Sequence, residues 1–235
     1  MWTTPRATRS RSSRLATSAR LVSIQVGKPR FHGPDVGLAE PLDHRWHSAF
    51  CKESVSGPVL LRRTNLEGDR QADPRVHGGP EMAVLCYSAD HYPVWREELG
   101  IAEMGPGGFA ENFTISGQDE LTVCIGDTYA AGGAIVQVSQ PRGPCYKISY
   151  HWKRPDLLAR CESNGRHGWY LRVLQEGVVE AGQPVQLVER PNPDWSIRRA
   201  ADVYRARRKR LEEAADLARI TGYASRPAER ILAGR

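Results

Sequence analysis

The chain has 235 residues, 40% hydrophobic and 26% charged, with a formal net charge of +6. That length holds one large domain, or one domain with a small appendage, and buries a core without disulfide staples. No apolar run approaches the roughly 20 residues of a membrane span.

Residues 1–20 are rich in Arg, Ser and Thr and contain no acid. They read as a disordered basic tail; a transit peptide and a start codon placed too early are the other readings. Strand grammar begins at residues 21–26, where apolar and polar side chains alternate up to Gly27. Residues 59–61 form a short apolar run after Pro58, and residues 82–87 form another that fits strand or helix. Tyr92, Trp95 and Leu99 recur at helical spacing, predicting a helix over 90–99 stopped by Gly100. Further strands are predicted at 112–115, 121–125, 134–138, 170–174 and 184–188, with a second helix around 155–163. Many short strands between Gly-rich turns argue for a closed sheet, a mainly β barrel with a few peripheral helices.

After Pro191-Asn192-Pro193 the composition turns helical and basic. Ile197, Ala200, Ala201, Tyr204, Leu211 and Leu217 are apolar points of a helix predicted over 196–219. Thr221-Gly222 breaks it, and Ser225 reads as the N-cap of a last short helix with Pro227 just inside. The expected division is a tail at 1–20, a barrel domain at 21–190 and a small helical domain at 191–235.

Charge follows the same division. Residues 1–34 carry seven Lys/Arg and no acid, residues 195–235 carry eleven against five, and residues 35–194 carry fifteen against twenty-two. Nucleic-acid binding needs a basic folded body; this body is acidic, which speaks against it. Cys51, Cys86, Cys124, Cys145 and Cys161 are odd in number and form no CxxC. Free thiols in a reducing, cytoplasmic setting are expected.

Three segments can carry chemistry. Ser139-Gln140-Pro141-Arg142-Gly143-Pro144-Cys145-Tyr146-Lys147 follows a predicted strand and is expected as a rim loop fixed by two prolines and a glycine. Cys145 lies between Arg142 and Lys147, and nearby positive charge favours the thiolate that ligates metals or attacks electrophiles. An inert buried cysteine is the alternative. Upstream, Gly68-Asp69-Arg70-Gln71 leads to His77-Gly78-Gly79, where backbone N–H groups and the imidazole could meet an anion. An ordinary Gly-Gly turn is the plainer reading, and without GK[ST] this is no Walker loop. Asn112 stands at a strand start, able to bond a ligand amide or cap a turn. There is no HExxH, GxSxG or GxGxxG, and no iron–sulfur spacing among the cysteines.

In order, "GDRQADPRVHGGPEMAV", "AENFTISG", "CIGDTYAAGGAIVQVSQPRGPCYK" and "NGRHGWYLRVL" resemble the MOSC (molybdenum cofactor sulfurase C-terminal) family over residues 21–190. Residues 191–235 more loosely resemble the C-terminal three-helix domain of its bacterial stand-alone branch. The resemblance implies a MOSC-type β-barrel holding the molybdenum cofactor (molybdopterin). It also implies reduction of N-hydroxylated compounds such as hydroxylaminopurine-type bases. Cys145 would be the metal ligand and catalytic thiolate. His77, Gly78, Gly79, Asn112, Arg142, Lys147 and, more weakly, Lys28 would surround the pterin and its phosphate. Ala110 departs from the family, where many relatives have glycine. A separate flavin or iron–sulfur protein would donate electrons. A cofactor carrier or sulfur-transfer module would use the same fold and thiol.

Overall fold

The computed structural model describes residues 19–34 and 42–234, so most of the predicted tail at 1–20 lies outside the described residues. The first half contains β1 (Arg20–Val26), β2 (Arg30–His32), β3 (Trp46–Ser48), β4 (Glu53–Ser54), β5 (Val59–Leu61), α1 (Pro74–His77), a 3-10 turn (Pro80–Met82), β6 (Val84–Ser88), α2 (His91–Leu99) and β7 (Phe113–Ser116). The second contains β8 (Thr128–Ala131), β9 (Ala134–Pro141), α3 (Lys147–Trp152), α4 (Leu157–Asn164), β10 (Trp169–Gln175), β11 (Gly177–Val179), β12 (Val185–Glu189), α5 (Ile197–Arg205), α6 (Leu211–Arg219) and α7 (Ser225–Leu232). No helix among them is long and apolar enough to cross a membrane.

Eight strands form one curled sheet in the order β12-β8-β9-β10-β6-β7-β1-β4. All neighbours are antiparallel except β6 and β7. That parallel pair needs a crossover, and α2 lies on it. Gly100, at φ 67, ends α2 and returns its N–H to Arg96 O, as a left-handed C-terminal glycine does. The two ends of the sheet are stitched where β1 meets the approach to β12. There Leu21 N–H donates to Gln183 O and Val185 N–H to Ala19 O, both at 2.9 Å. The result is a half-barrel closed along that seam, which leaves few free edges.

Alternation drives the curl. Ala134, Val136 and Val138 of β9 point inward, as do Leu171 and Val173 of β10, and a bulge between Leu21 and Ser23 brings both Leu21 and Ile24 of β1 to the same core. The C-terminal helices extend the same core: Ile197, Ala200 and Val203 of α5 and Ala214 and Leu217 of α6 all join it. A second cluster sits under α2, α3 and α4, where Tyr87 stacks on Phe109 at 4.3 Å and accepts the Trp95 indole N–H at 2.6 Å. Strand and helix content are about equal, so the expected β sheet carries more helix than its strand pattern suggested.

Three expectations differ in detail. Residues 121–125 are a turn, because the Asp119 carboxylate accepts the N–H groups of Leu121 and Thr122 at 2.9 and 3.0 Å. Such a local side-chain bond competes with the ladder. The helix expected over 196–219 is two helices, α5 and α6, broken at the consecutive cations Arg207, Arg208, Lys209 and Arg210. Glu212 and Glu213 then fall in the first turn of α6, where acids favour the helix dipole. Ser225 is the first residue of α7 and its hydroxyl goes to Glu81, so it is not an N-cap.

Candidate functional site

The site forms where β9 ends and β10 begins. Pro141 pairs with Trp169 at the end of the ladder, and Arg142 N–H still reaches Gly168 O at 3.0 Å. Pro144 has no N–H to extend the pairing. The chain leaves the sheet, and Cys145 O accepts from Ile148 N–H at 3.1 Å to lead into α3. The expected rim loop is therefore shorter than its motif, since residues 139–141 are still strand. Cys145 lies half-buried on the wall of an open cavity.

His77, Asn112, Arg142 and Lys147 line the same cavity. Arg142 is only 5% exposed, and its Nη1 has no hydrogen-bond partner among the described residues. Lys147 is fastened to the neighbouring strand, its Nζ donating to His47 O at 3.2 Å and to Ser48 Oγ at 3.3 Å. His77 ends α1, which Asp73 caps by accepting Arg75 N–H. Burial holds the His77 imidazole below its usual range, and the cations Lys147 and Arg142 push it the same way. It is therefore neutral at pH 7.

Asn112 is a strut. Its Oδ1 accepts Leu85 N–H at 3.1 Å, while Nδ2 donates to Gln25 O at 3.1 Å and to Asp69 Oδ2 at 3.0 Å. Both amide hydrogens are thus engaged within the protein, which answers the expectation that they would reach a ligand. Ala110 lines the cavity in a left-handed conformation at φ 62, a backbone that favours glycine.

Lys52 and Asp69 are site residues that the motifs did not single out. Lys52 lines the cavity and pairs with Asp69, their side chains being 6% and 0% exposed. Asp69 also accepts Gly27 N–H at 2.8 Å and Gln71 Nε2 at 3.3 Å. Removing one member of a buried ion pair strands the other. Asp69→Ala is therefore expected to cost about 3–5 kcal/mol, a fall in Tm of about 10 °C. Thermal melts of the two proteins decide it, and an unchanged Tm would show that Lys52 finds another partner.

Three predicted ligands are not brought into the cavity. Gly78 and Gly79 lie in the turn after α1 and are absent from its lining. Gly79 adopts φ 98 and its carbonyl accepts Met82 N–H at 3.0 Å, so its role is to shape the turn. Lys28 faces a separate cavity with Arg30 and Cys51. Residues 50–52 divide the two: Phe50 and Lys52 line the first and Cys51 the second. Cys51 Sγ lies 3.4 Å from His151 Nδ1. Burial pushes that thiol up and that imidazole down to about 4, giving a neutral pair. Burial likewise pushes up the thiols of Cys86, Cys124 and Cys161, the last to about 12.

Residues 73–186 match the MOSC domain, a span that contains His77, Asn112, Arg142, Cys145 and Lys147. Protein YiiM of Escherichia coli is 39% identical over 158 residues, which cover 66% of this chain and 70% of that protein. The chain belongs to the MOSC domain family. The crystal structure of YiiM from Geobacillus stearothermophilus, 32% identical, matches this MOSC fold with a TM-score of 0.75 over 92% of this chain and 98% of that one. A relative from Gibberella moniliformis called "Reductase" is 38% identical over 181 residues, which are 74% of this chain and 31% of that longer protein. MOSC domains are associated with molybdenum cofactor binding.

Proposed function

We propose that this MOSC protein is a molybdenum-cofactor-dependent reductase of N-hydroxylated compounds, with hydroxylaminopurine-type bases as the substrate class. Arg142 carries the reading: a buried guanidinium with an unpartnered Nη1 shares a cavity wall with a thiol. An unpaired buried cation is costly until an anion completes it, and a pterin phosphate meets that need. Cys145 adds a soft sulfur ligand. Among the described residues no three His, Cys, Asp or Glu side chains form a metal cage. The donor set therefore fits a metal that brings ligands of its own.

When bound, the cofactor supplies two-electron redox chemistry. The protein supplies orientation and electrostatics. Arg142 and Lys147 would bind the anionic part, and Cys145 Sγ would hold the metal. Reduction of R–NHOH to R–NH₂ and water takes two electrons and two protons. Neutral His77 carries one ring N–H and one lone pair, so the lone pair can take a proton from solvent and pass it on to the departing hydroxyl, which returns the ring to its neutral form. The name of the fungal relative supports a reductase. Electrons come from a separate flavin or iron–sulfur protein, and the basic C-terminal helices suit an acidic donor. Five free cysteines fit a reducing cytoplasm.

The test loads the protein with cofactor, adds a reducing partner and follows conversion of hydroxylaminopurine to adenine. Turnover is expected. Stoichiometric molybdenum and pterin without turnover would overturn the reductase and leave a carrier or sulfur-transfer module.

A further inference from the structure

The cavity wall at residues 74–82 is held from outside by the C-terminal helices. It comprises the four-residue α1 and the 3-10 turn, and the 3-10 turn has no side-chain cap of its own. His77 and Met82 face the cavity. Glu81 instead binds α7: its two carboxylate oxygens accept Ser225 N–H at 3.0 Å each, and Oε2 also accepts Ser225 Oγ at 2.8 Å. Arg172 Nη2 donates to Oε1 at 3.1 Å. Beside it, Arg226 Nη1 donates to Arg75 O at 2.5 Å, and Ala224 N–H to Ser139 O at 2.9 Å. Ser139 Oγ closes the set by donating to Glu81 O at 2.6 Å.

No residue of α7 caps its N-terminus by a side-chain bond. That end carries unsatisfied N–H groups and partial positive charge. The Glu81 carboxylate meets both needs from 144 residues away in sequence.

We propose that Glu81 is a positioning residue: by capping α7 from the cavity wall, it locks the His77 segment to the C-terminal helices, so that these helices set the shape of the site. The coupling is reciprocal. Whatever tightens the His77 wall steadies α7, and whatever loosens α7 loosens the wall.

The test uses the full chain without cofactor, as wild type and as Ser225→Ala, Arg226→Ala, Glu81→Gln and Glu81→Ala. Amide hydrogen exchange is followed at residues 76–79 and along α7, together with the ring-proton resonances of His77. In Glu81→Ala, exchange at 76–79 is expected to rise about tenfold, the worth of one ordinary hydrogen bond, and the His77 resonances to shift. Ser225→Ala, which keeps its N–H bonds to Glu81, and Arg226→Ala, which loses the bond to Arg75 O, are expected to move both in the same direction by less. Glu81→Gln keeps an acceptor and falls between. Exchange that rises in α7 alone, with His77 unmoved, would overturn the proposal and leave Glu81 a simple helix anchor. If Glu81→Ala fails to fold, Ser225→Ala and Arg226→Ala decide, because both residues are exposed and their loss is mild.

Discussion

Cys145→Ser is expected to abolish reduction of N-hydroxylated substrates while leaving the fold intact. The side chains differ by one atom at a half-buried junction between β9 and α3, so stability should change by no more than about 0.5 kcal/mol. The chemistry changes far more, because a serine hydroxyl stays protonated at neutral pH and is a poor ligand for a metal that takes soft sulfur. Substitutions one shell outside a metal cost about 10–100-fold. Loss of the ligand itself should exceed about 100-fold in turnover. Metal content, the metal spectrum and rate are measured on protein purified with cofactor supplied. Wild-type turnover in loaded Cys145→Ser protein would remove Cys145 from the metal.

Arg142→Met is expected to act with opposite signs on stability and on binding. The guanidinium is buried, and its Nη1 has no hydrogen-bond partner among the described residues. An apolar side chain of similar length relieves that burden, by about 1–2 kcal/mol on the scale of buried charges replaced by hydrophobic groups. Tm should rise by about 2–8 °C. The same change removes charge-assisted hydrogen bonds worth about 1.5–3 kcal/mol each, so retention of an anionic cofactor should fall by about 10–100-fold or more. Melting curves and pterin content of the two proteins test both arms. A variant less stable than wild type that still retains pterin would show that Arg142 serves the fold.

What was legible in the sequence follows from how local each signal is. β9 and β10 are readable because inward and outward residues alternate over 134–138 and 169–173, and β1 is readable despite a bulge between Leu21 and Ser23. β8 was missed: Thr128, Tyr129, Ala130 and Ala131 have too little apolar contrast to show a period, and their pairing with β12 supplies the strand. At the site, Arg142, Cys145 and Lys147 share one short segment, so their meeting needed only a turn, while His77 reaches the same cavity across the sheet. Asp69 stands in the second segment, but its pairing with Lys52 is not legible, because an ion pair between separate loops leaves no local pattern. Lys28 lines the second cavity rather than the first, beside Gly27, whose N–H binds Asp69.

The seam of the half-barrel also sets a timetable for synthesis. Arg20 Nη1 donates to Gly182 O across 162 residues of chain. Ribosomes add about 5–20 residues per second, so β1 waits about 8–30 s for its seam partner to be made. β7 and β4 reach β1 earlier, β4 covering its far end at Gln25 and Val26, and only the stretch around Leu21 stays open until residues 182–185 are made. A nascent chain with an unpaired apolar strand is exposed to aggregation for that interval, and the fold closes only when β12 leaves the ribosome.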